Sequence, residues 1–180
     1  MRTAGILMPI TSLPSPYGVG TLGQCARDFI QFLHRAGQTY WQILPICPTG
    51  YGDSPYQSFS SYAGNPYMID FDDLKKEGLL QEEEYASISW GDNPARVDYS
   101  LLYSHKFSIL RIACSRISGV LSERFQTFCK EQNVWLNDYA LYMSIKDYYD
   151  GQSWQEWPET LQKREKDSLE AIHQELTDEI

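Results

Sequence analysis

Residues 5–45 read GILMPITSLPSPYGVGTLGQCARDFIQFLHRAGQTYWQILP. The run from Gly5 to Pro9 is short, apolar and continuous, which is typical of a strand buried on both faces. Residues 39–45 are β-branched, aromatic and aliphatic, and they end at a proline, so they predict a second strand.

The segment between these strands has the signature of a helix. Thr21-Leu22-Gly23-Gln24 matches a capping box, apolar residues then recur at helical spacing, and Gly37 supplies a stop. A strand, a helix and a strand within about forty residues predict a βαβ unit with parallel pairing and a right-handed crossover.

The remainder of the chain is polar loop followed by helix. Residues 46–64 are dense in Gly, Pro, Ser and Tyr, which favours a functional loop over a simple connection. Residues 66–70 could add a short strand, and the pattern turns helical from Asp72 onward, with Asp98 available as an N-cap.

Two parallel strands cannot form a stable sheet alone, and the helical part cannot supply the missing strands. The fold class predicted is therefore α/β: the first strands and helix of a (β/α)8 TIM barrel with an inserted helical subdomain, incomplete at the C-terminus. We expect residues 1–70 to belong to the barrel, with a binding loop at 46–64, and residues 71–180 to form a mainly helical, truncated subdomain.

Composition excludes several functional classes. The net charge of −9 without a basic stripe argues against nucleic acid as a partner. The start lacks a signal-peptide pattern and no stretch approaches about 20 apolar residues, so we expect a cytoplasmic protein with no membrane partner. The four cysteines form no metal-binding or disulfide pattern, so no metal and no cofactor are predicted.

One motif suggests a nicotinamide-dependent enzyme. Residues 18–23 formally match the dinucleotide fingerprint G-x-G-x-x-G. A proline-containing stretch separates this motif from the first strand, and the acidic residue expected about 20 positions later would fall near Ile43, inside an apolar strand. We therefore favour a turn that leads into the helix.

Residues 50–58 are the better candidate for a binding site. Tyr51 and Tyr56 offer flat stacking faces, while Asp53 and Ser54 offer the polar groups that a hydroxyl-rich ligand demands. In a barrel this loop would leave the C-terminal end of a strand, where active sites are built. The residues alone leave open a structural turn in which Asp53 caps backbone amides.

Four blocks make the sequence similar to a known family, the 4-α-glucanotransferases, also called amylomaltases or disproportionating enzymes. The blocks are TSLPSPYG at residues 11–18, YWQILP at 40–45, PTGYGDSPYQS at 48–58 and GNPY at 64–67. The resemblance implies a barrel enzyme without cofactors that transfers α-1,4-glucan segments between malto-oligosaccharides by a retaining mechanism, which requires two carboxyl groups about 5–5.5 Å apart.

The resemblance also assigns roles. It implies that Tyr56 lines the site of the cleaved sugar, that Ser54 is a hydrogen-bonding neighbour, and that Tyr51 serves an additional glucan-binding surface. We expect Asp53 to position the loop. The family's catalytic carboxylates come from later barrel strands, so the chain is expected to hold no catalytic residue and to be inactive alone as the N-terminal portion of the enzyme. The alternative is a non-catalytic glucan-binding module.

Overall fold

The structure is a computed structural model that describes residues 2–50 and 52–180. Contacts between residues divide the chain into two compact units, one ending at Ser122 and one comprising Glu123–Ile180. Among the residues described, no helix is both long enough and apolar enough to cross a membrane.

The first unit contains the predicted βαβ element. Strand β1 (Gly5–Leu7) pairs in parallel with β2 (Tyr40–Gln42), in a register that sets Gly5 beside Tyr40 and Leu7 beside Gln42. Helix α1 (Gln24–Arg35) connects the strands. Parallel pairing around a crossover helix is therefore confirmed.

The burial expected for the first strand is wrong. All three residues of β1 are exposed, because the sheet that the described residues form has two strands and is covered on one face only. Trp41 lies on the covered face. The centroid of its ring is 5.0 Å from that of Phe29 of α1, and its Nε1 donates to the Met8 carbonyl at 2.8 Å.

The helix start also differs from the prediction. Gly23 is the N-cap of α1, and no side chain caps it. The Thr21 hydroxyl instead donates to the Asp70 carboxylate at 2.5 Å. Asp70 is 49 positions further along the chain, so the local sequence could not predict this contact. The predicted stop is confirmed, since Gly37 takes the left-handed conformation with φ 68° and its N–H bonds to the His34 carbonyl.

Residues 66–70 do not form the strand that their composition suggested. Pro66–Met68 is a 3₁₀ turn, entered through Asn65, whose side chain accepts from the Tyr67 N–H at 2.9 Å. Asp70 then caps α2 (Phe71–Lys76) by accepting from the Asp73 N–H at 3.2 Å. Local side-chain capping competes with strand pairing here and wins.

Helix α3 (Tyr99–Ser115) begins at Asp98, whose carboxylate accepts from the N–H groups of Ser100 and Leu101, as predicted. Its buried face contributes to the core of the first unit. That core brings together residues from the N-terminal loops, α2, the segment after it, and α3, including Tyr17, Val19, Phe71, Leu80, Tyr85, Leu102 and Ile109.

The predicted division of the chain at residue 70 stays a prediction. In the structure, α2 and α3 share one core with Tyr17 and Val19, so the first compact unit continues to Ser122.

The second unit is helical. After α4 (Gly119–Glu131), which starts within the first unit, come α5 (Leu136–Tyr148), α6 (Glu159–Gln162) and α7 (Lys166–Glu175). Its core consists of Ile145, Trp157, Leu161, Ile172 and Leu176.

Candidate functional site

The segment 49–58, called the binding loop below, closes on itself after β2. Thr49 and Ser58 form an isolated antiparallel bridge, and the Gly50 N–H donates to the Gln57 carbonyl at 2.9 Å. Gly50 is buried, and a Cβ there would lie 3.2 Å from the ring of Phe59. These backbone hydrogen bonds give the loop a defined shape, and a side chain at position 50 would require Phe59 to shift by a few tenths of an ångström.

Asp53 lies at the tip in an unusual conformation. Its φ is 55°, in the left-handed region that few residues other than glycine adopt, and it follows Gly52 with φ 81°. Its N–H donates to the Gly50 carbonyl at 3.1 Å, and its carboxylate accepts a hydrogen bond from the Tyr103 hydroxyl. Asp53 is therefore held through both its backbone and its side chain.

Ser54 and Tyr56 lie in the next turn. The Ser54 hydroxyl accepts from the Tyr56 N–H at 3.3 Å, and the Gln57 N–H donates to the Ser54 carbonyl at 3.1 Å. Tyr56 is 75% exposed, so its ring is accessible to a ligand. Tyr51, the fourth predicted binding residue, lies outside the described residues.

A small cleft of about 40 Å³ lies between the loop and the carboxyl ends of both strands. Its lining comes from the chain after β1, the chain after β2, the binding loop and α3, including Ile10, Leu44, Pro45, Thr49, Asp53, Pro55, Tyr67 and Tyr99. The buried Oγ1 of Thr49 has no hydrogen-bond partner among the described atoms. A cleft of this size and polarity is large enough for a water molecule.

Helix α3 and the 3₁₀ turn add three tyrosines to the site. Tyr103 packs edge-on against Tyr67, with ring centroids 5.7 Å apart. Burial, followed by the hydrogen bond to Asp53, raises the pKa of Tyr103 to about 12. Burial is also the main cause of the raised pKa values of Tyr67 and Tyr99, with the Asp53 charge contributing to both. All three hydroxyls are therefore neutral donors at physiological pH.

Sequence reasoning did not identify these tyrosines. The available signal was the helix predicted after Asp98, because Tyr99 and Tyr103 are four residues apart and therefore lie on one face of that helix. Nothing in the local pattern indicates that this face meets a loop 50 positions earlier.

Close packing within the protein explains the glycines of residues 18–23. A Cβ on Gly20 would lie 1.9 Å from the Ile10 carbonyl oxygen, and one on Gly23 would lie 2.0 Å from the Asp70 carboxylate. A carboxylate beside the N-terminus of α1 would repel a pyrophosphate. This arrangement agrees with a structural turn and disfavours a dinucleotide site.

Comparison with known protein families gives one consistent result. A family model described as 4-alpha-glucanotransferase matches residues 8–180. The chain is similar to the 4-alpha-glucanotransferase of Thermus thermophilus, with 46% identity over 99% of this chain and 36% of that protein. It is also similar to the enzyme of the same name from Clostridium butyricum, with 42% identity over 96% of this chain and 36% of that protein.

A solved structure agrees with these sequence matches. The amylomaltase from Streptococcus agalactiae in complex with acarbose has a TM-score of 0.95 to this chain at 39% identity, covering 99% of this chain and 36% of that one. The chain thus spans little more than a third of the length of these relatives.

Proposed function

Because this chain belongs to the 4-alpha-glucanotransferase family, we propose that it forms the N-terminal portion of an enzyme that transfers α-1,4-glucan segments between malto-oligosaccharides. In this proposal the chain supplies part of the glucan-binding surface, and the catalytic carboxylates come from outside it. The observation that supports the proposal is the match of 99% of this chain to 36% of an amylomaltase whose structure was solved in complex with acarbose.

The binding loop is the proposed contact with glucan. The exposed ring of Tyr56 would stack on the apolar face of a glucose unit, and the Ser54 hydroxyl would bond to a sugar hydroxyl. Asp53 would hold the loop in shape, since its carboxylate already accepts from Tyr103. Tyr51 is proposed, on the sequence resemblance alone, for a second contact with a longer glucan.

The barrel is the proposed setting for this loop. The cleft and the binding loop both follow the carboxyl ends of β1 and β2, which is the end where barrel active sites lie. Further strands of a (β/α)8 barrel would cover the exposed face of the sheet and bring two carboxyl groups to about 5–5.5 Å from one another, as retention of configuration requires. A cytoplasmic location stays a prediction.

Tyr56→Ala in the full-length protein tests the loop's role. Loss of the stacking face should lower kcat/KM for maltotriose disproportionation about fivefold or more, because stacking on an aromatic ring contributes on the order of 1–3 kcal/mol. Tyr148→Ala, which removes a half-exposed tyrosine in the second unit, is the matched control and should leave the rate unchanged. Equal kcat/KM values for the two variants would show that Tyr56 does not contribute to glucan binding.

A non-catalytic glucan-binding module is the second candidate, and the exposed ring of Tyr56 favours it, because stacking on a sugar needs no catalytic carboxylate. The isolated chain should release no glucose from maltotriose, whichever candidate is right. Binding of maltoheptaose by the isolated chain would support the module, and glucose release by it would contradict the placement of the catalytic carboxylates elsewhere.

A further inference from the structure

The Tyr103 hydroxyl and the Asp53 carboxylate form a hydrogen bond between two segments that are 50 positions apart in the chain. Tyr103 is half exposed and lies on the first turns of α3, next to Leu102, which is fully buried in the core, and Asp53 lies at the tip of the binding loop. The bond therefore joins an exposed loop to a firmly packed helix.

The hydrogen bond to Tyr103 stabilises an unfavourable backbone conformation at Asp53. A non-glycine residue in the left-handed region costs on the order of 1 kcal/mol or more, and such residues persist where surrounding contacts fix them. The bonds within the loop hold its base, from Gly50 to Gln57. The carboxylate of Asp53 is the point where the tip is tied to α3.

Tyr103 is itself well supported as an anchor. Its ring packs against Tyr67, which is 5% exposed and which also packs against Phe107 at 5.6 Å. Burial and the hydrogen bond to Asp53 raise the pKa of Tyr103 to about 12, so its hydroxyl stays protonated, as a donor to a carboxylate must be, to a higher pH than an ordinary tyrosine. Hydrogen bonds to charged acceptors are stronger than neutral ones.

We propose that Tyr103 is a positioning residue that latches the binding loop onto α3 through Asp53 and so presents Tyr56 and Ser54 to glucan. The latch is the hydrogen bond from the Tyr103 hydroxyl to the Asp53 carboxylate, and it rests on contacts within the chain. Its consequence for glucan rests on the proposed function.

Tyr103→Phe tests the latch without any ligand, because it keeps the ring against Tyr67 and removes only the hydroxyl. Chymotrypsin should then cut after Tyr56 about fivefold faster than in the wild type, since a lost hydrogen bond of this kind raises the open population by roughly that factor. The site of cleavage is identified by mass spectrometry. An unchanged rate at Tyr56 would overturn the latch.

Two further variants separate the latch from general destabilisation. Tyr85→Phe removes a comparable bond, from the Tyr85 hydroxyl to Asp72 at 3.1 Å in the same core, and should leave cleavage at Tyr56 unchanged. Asp53→Asn keeps an oxygen acceptor and tolerates the left-handed conformation but loses the charge, so its cleavage rate at Tyr56 should lie between those of the wild type and Tyr103→Phe. Cleavage raised as much by Tyr85→Phe as by Tyr103→Phe would overturn the specific role of Tyr103.

A double-mutant cycle tests whether the two residues act together. Asp53→Ala should accelerate cleavage, and adding Tyr103→Phe to it should give no further increase, because the bond is already absent. Independent, multiplied effects would contradict the latch.

The affinity of the chain for maltoheptaose, measured by isothermal titration calorimetry, tests the consequence for glucan. Tyr103→Phe should raise Kd about fivefold while Tyr85→Phe leaves it unchanged. Equal affinities for wild type and Tyr103→Phe would overturn the presenting role. If the wild-type chain does not bind maltoheptaose, that result counts against a glucan-binding module, and the cleavage rates still decide the latch.

Discussion

At the scale of single residues, Gly20 has the tightest surroundings. A Cβ there would lie 1.9 Å from the Ile10 carbonyl oxygen and 2.8 Å from the Leu13 N, both of them backbone atoms that cannot rotate away. The Gly20 N–H also donates to the Thr11 carbonyl at 3.1 Å, which holds the loop segments around residues 11 and 20 against each other. The pair of segments behind the cleft depends on the absence of a side chain at this position.

Gly20→Ala is expected to lower the free energy of unfolding by about 3 kcal/mol, near the upper end of what overpacking a well-packed core costs. Urea unfolding followed by tryptophan fluorescence measures the loss. Gly64→Ala is the matched control: its Cβ would meet no described atom within 4 Å, so it should change the free energy by less than about 0.5 kcal/mol. Similar losses for both variants would refute the steric explanation.

The candidate site could be predicted from sequence only in part. Residues 46–64 are predicted as a loop, with the candidate site at 50–58, because glycine, proline and polar aromatic residues follow a β-branched run. The structure places Asp53, Ser54 and Tyr56 in two successive turns of this loop. The anchor from Tyr103 could not be predicted, because a contact across 50 positions follows from tertiary packing and leaves no periodic signal.

At the scale of elements, α3 differs from its sequence pattern by one residue. The stripe Tyr103, Phe107, Leu110, Cys114 and Ile117 predicts a helix, yet Tyr103 and Phe107 are 50% and 43% exposed. The buried face is the adjacent one, with Leu102, Lys106, Ile109 and Ala113. Hydropathy could not indicate this face, because a lysine occupies its centre and two aromatic residues of the other face serve the binding loop and Tyr67.

Lys106 is fully buried and satisfied. Its Nζ donates to the Ile69 carbonyl at 2.8 Å and lies 4.2 Å from the centre of the Phe71 ring. Burial lowers its pKa to about 8, despite the opposing charge of Asp70. The helix is thus tied to the start of α2 by a cation that burial makes easier to deprotonate.

The stability of the first unit should therefore depend on pH through Lys106. The folded-state pKa lies below the ordinary 10.5, so unfolding takes up a proton between these values and the stability contribution rises as pH rises through about 8. The free energy of unfolding of the wild type, relative to Lys106→Met, should rise by about 2 kcal/mol between pH 7 and pH 9.5. Urea unfolding at both pH values measures it, and parallel pH profiles would contradict the lowered pKa.

At the scale of the whole molecule, the two faces of the β1–β2 sheet differ. One face carries Trp41, which packs on Phe29 of α1. The other carries Leu7 and Tyr40, which the parallel register places on the same side and which are 56% and 61% exposed. In the proposed barrel this second face would be the packed interior, so an apolar surface is left open in the 180 residues alone.

The isolated chain should therefore self-associate at high concentration, because an apolar sheet face and unpaired strand edges invite pairing with another copy. Leu7→Lys should reduce this association, as measured by sedimentation velocity, since it places a charge on this exposed apolar face. Gln126→Lys, an equal change in charge at an exposed position of α4, is the control and should leave association unchanged.

In the full-length protein the same substitution should act in the opposite direction. A lysine at position 7 would be buried without a partner in the barrel interior, which costs several kcal/mol, so Leu7→Lys should greatly lower the yield of folded protein while Gln126→Lys does not. A full-length Leu7→Lys variant as stable as the wild type would contradict the barrel. If Leu7→Lys leaves the association of the isolated chain unchanged, the surface responsible for self-association lies elsewhere than on this face of the sheet.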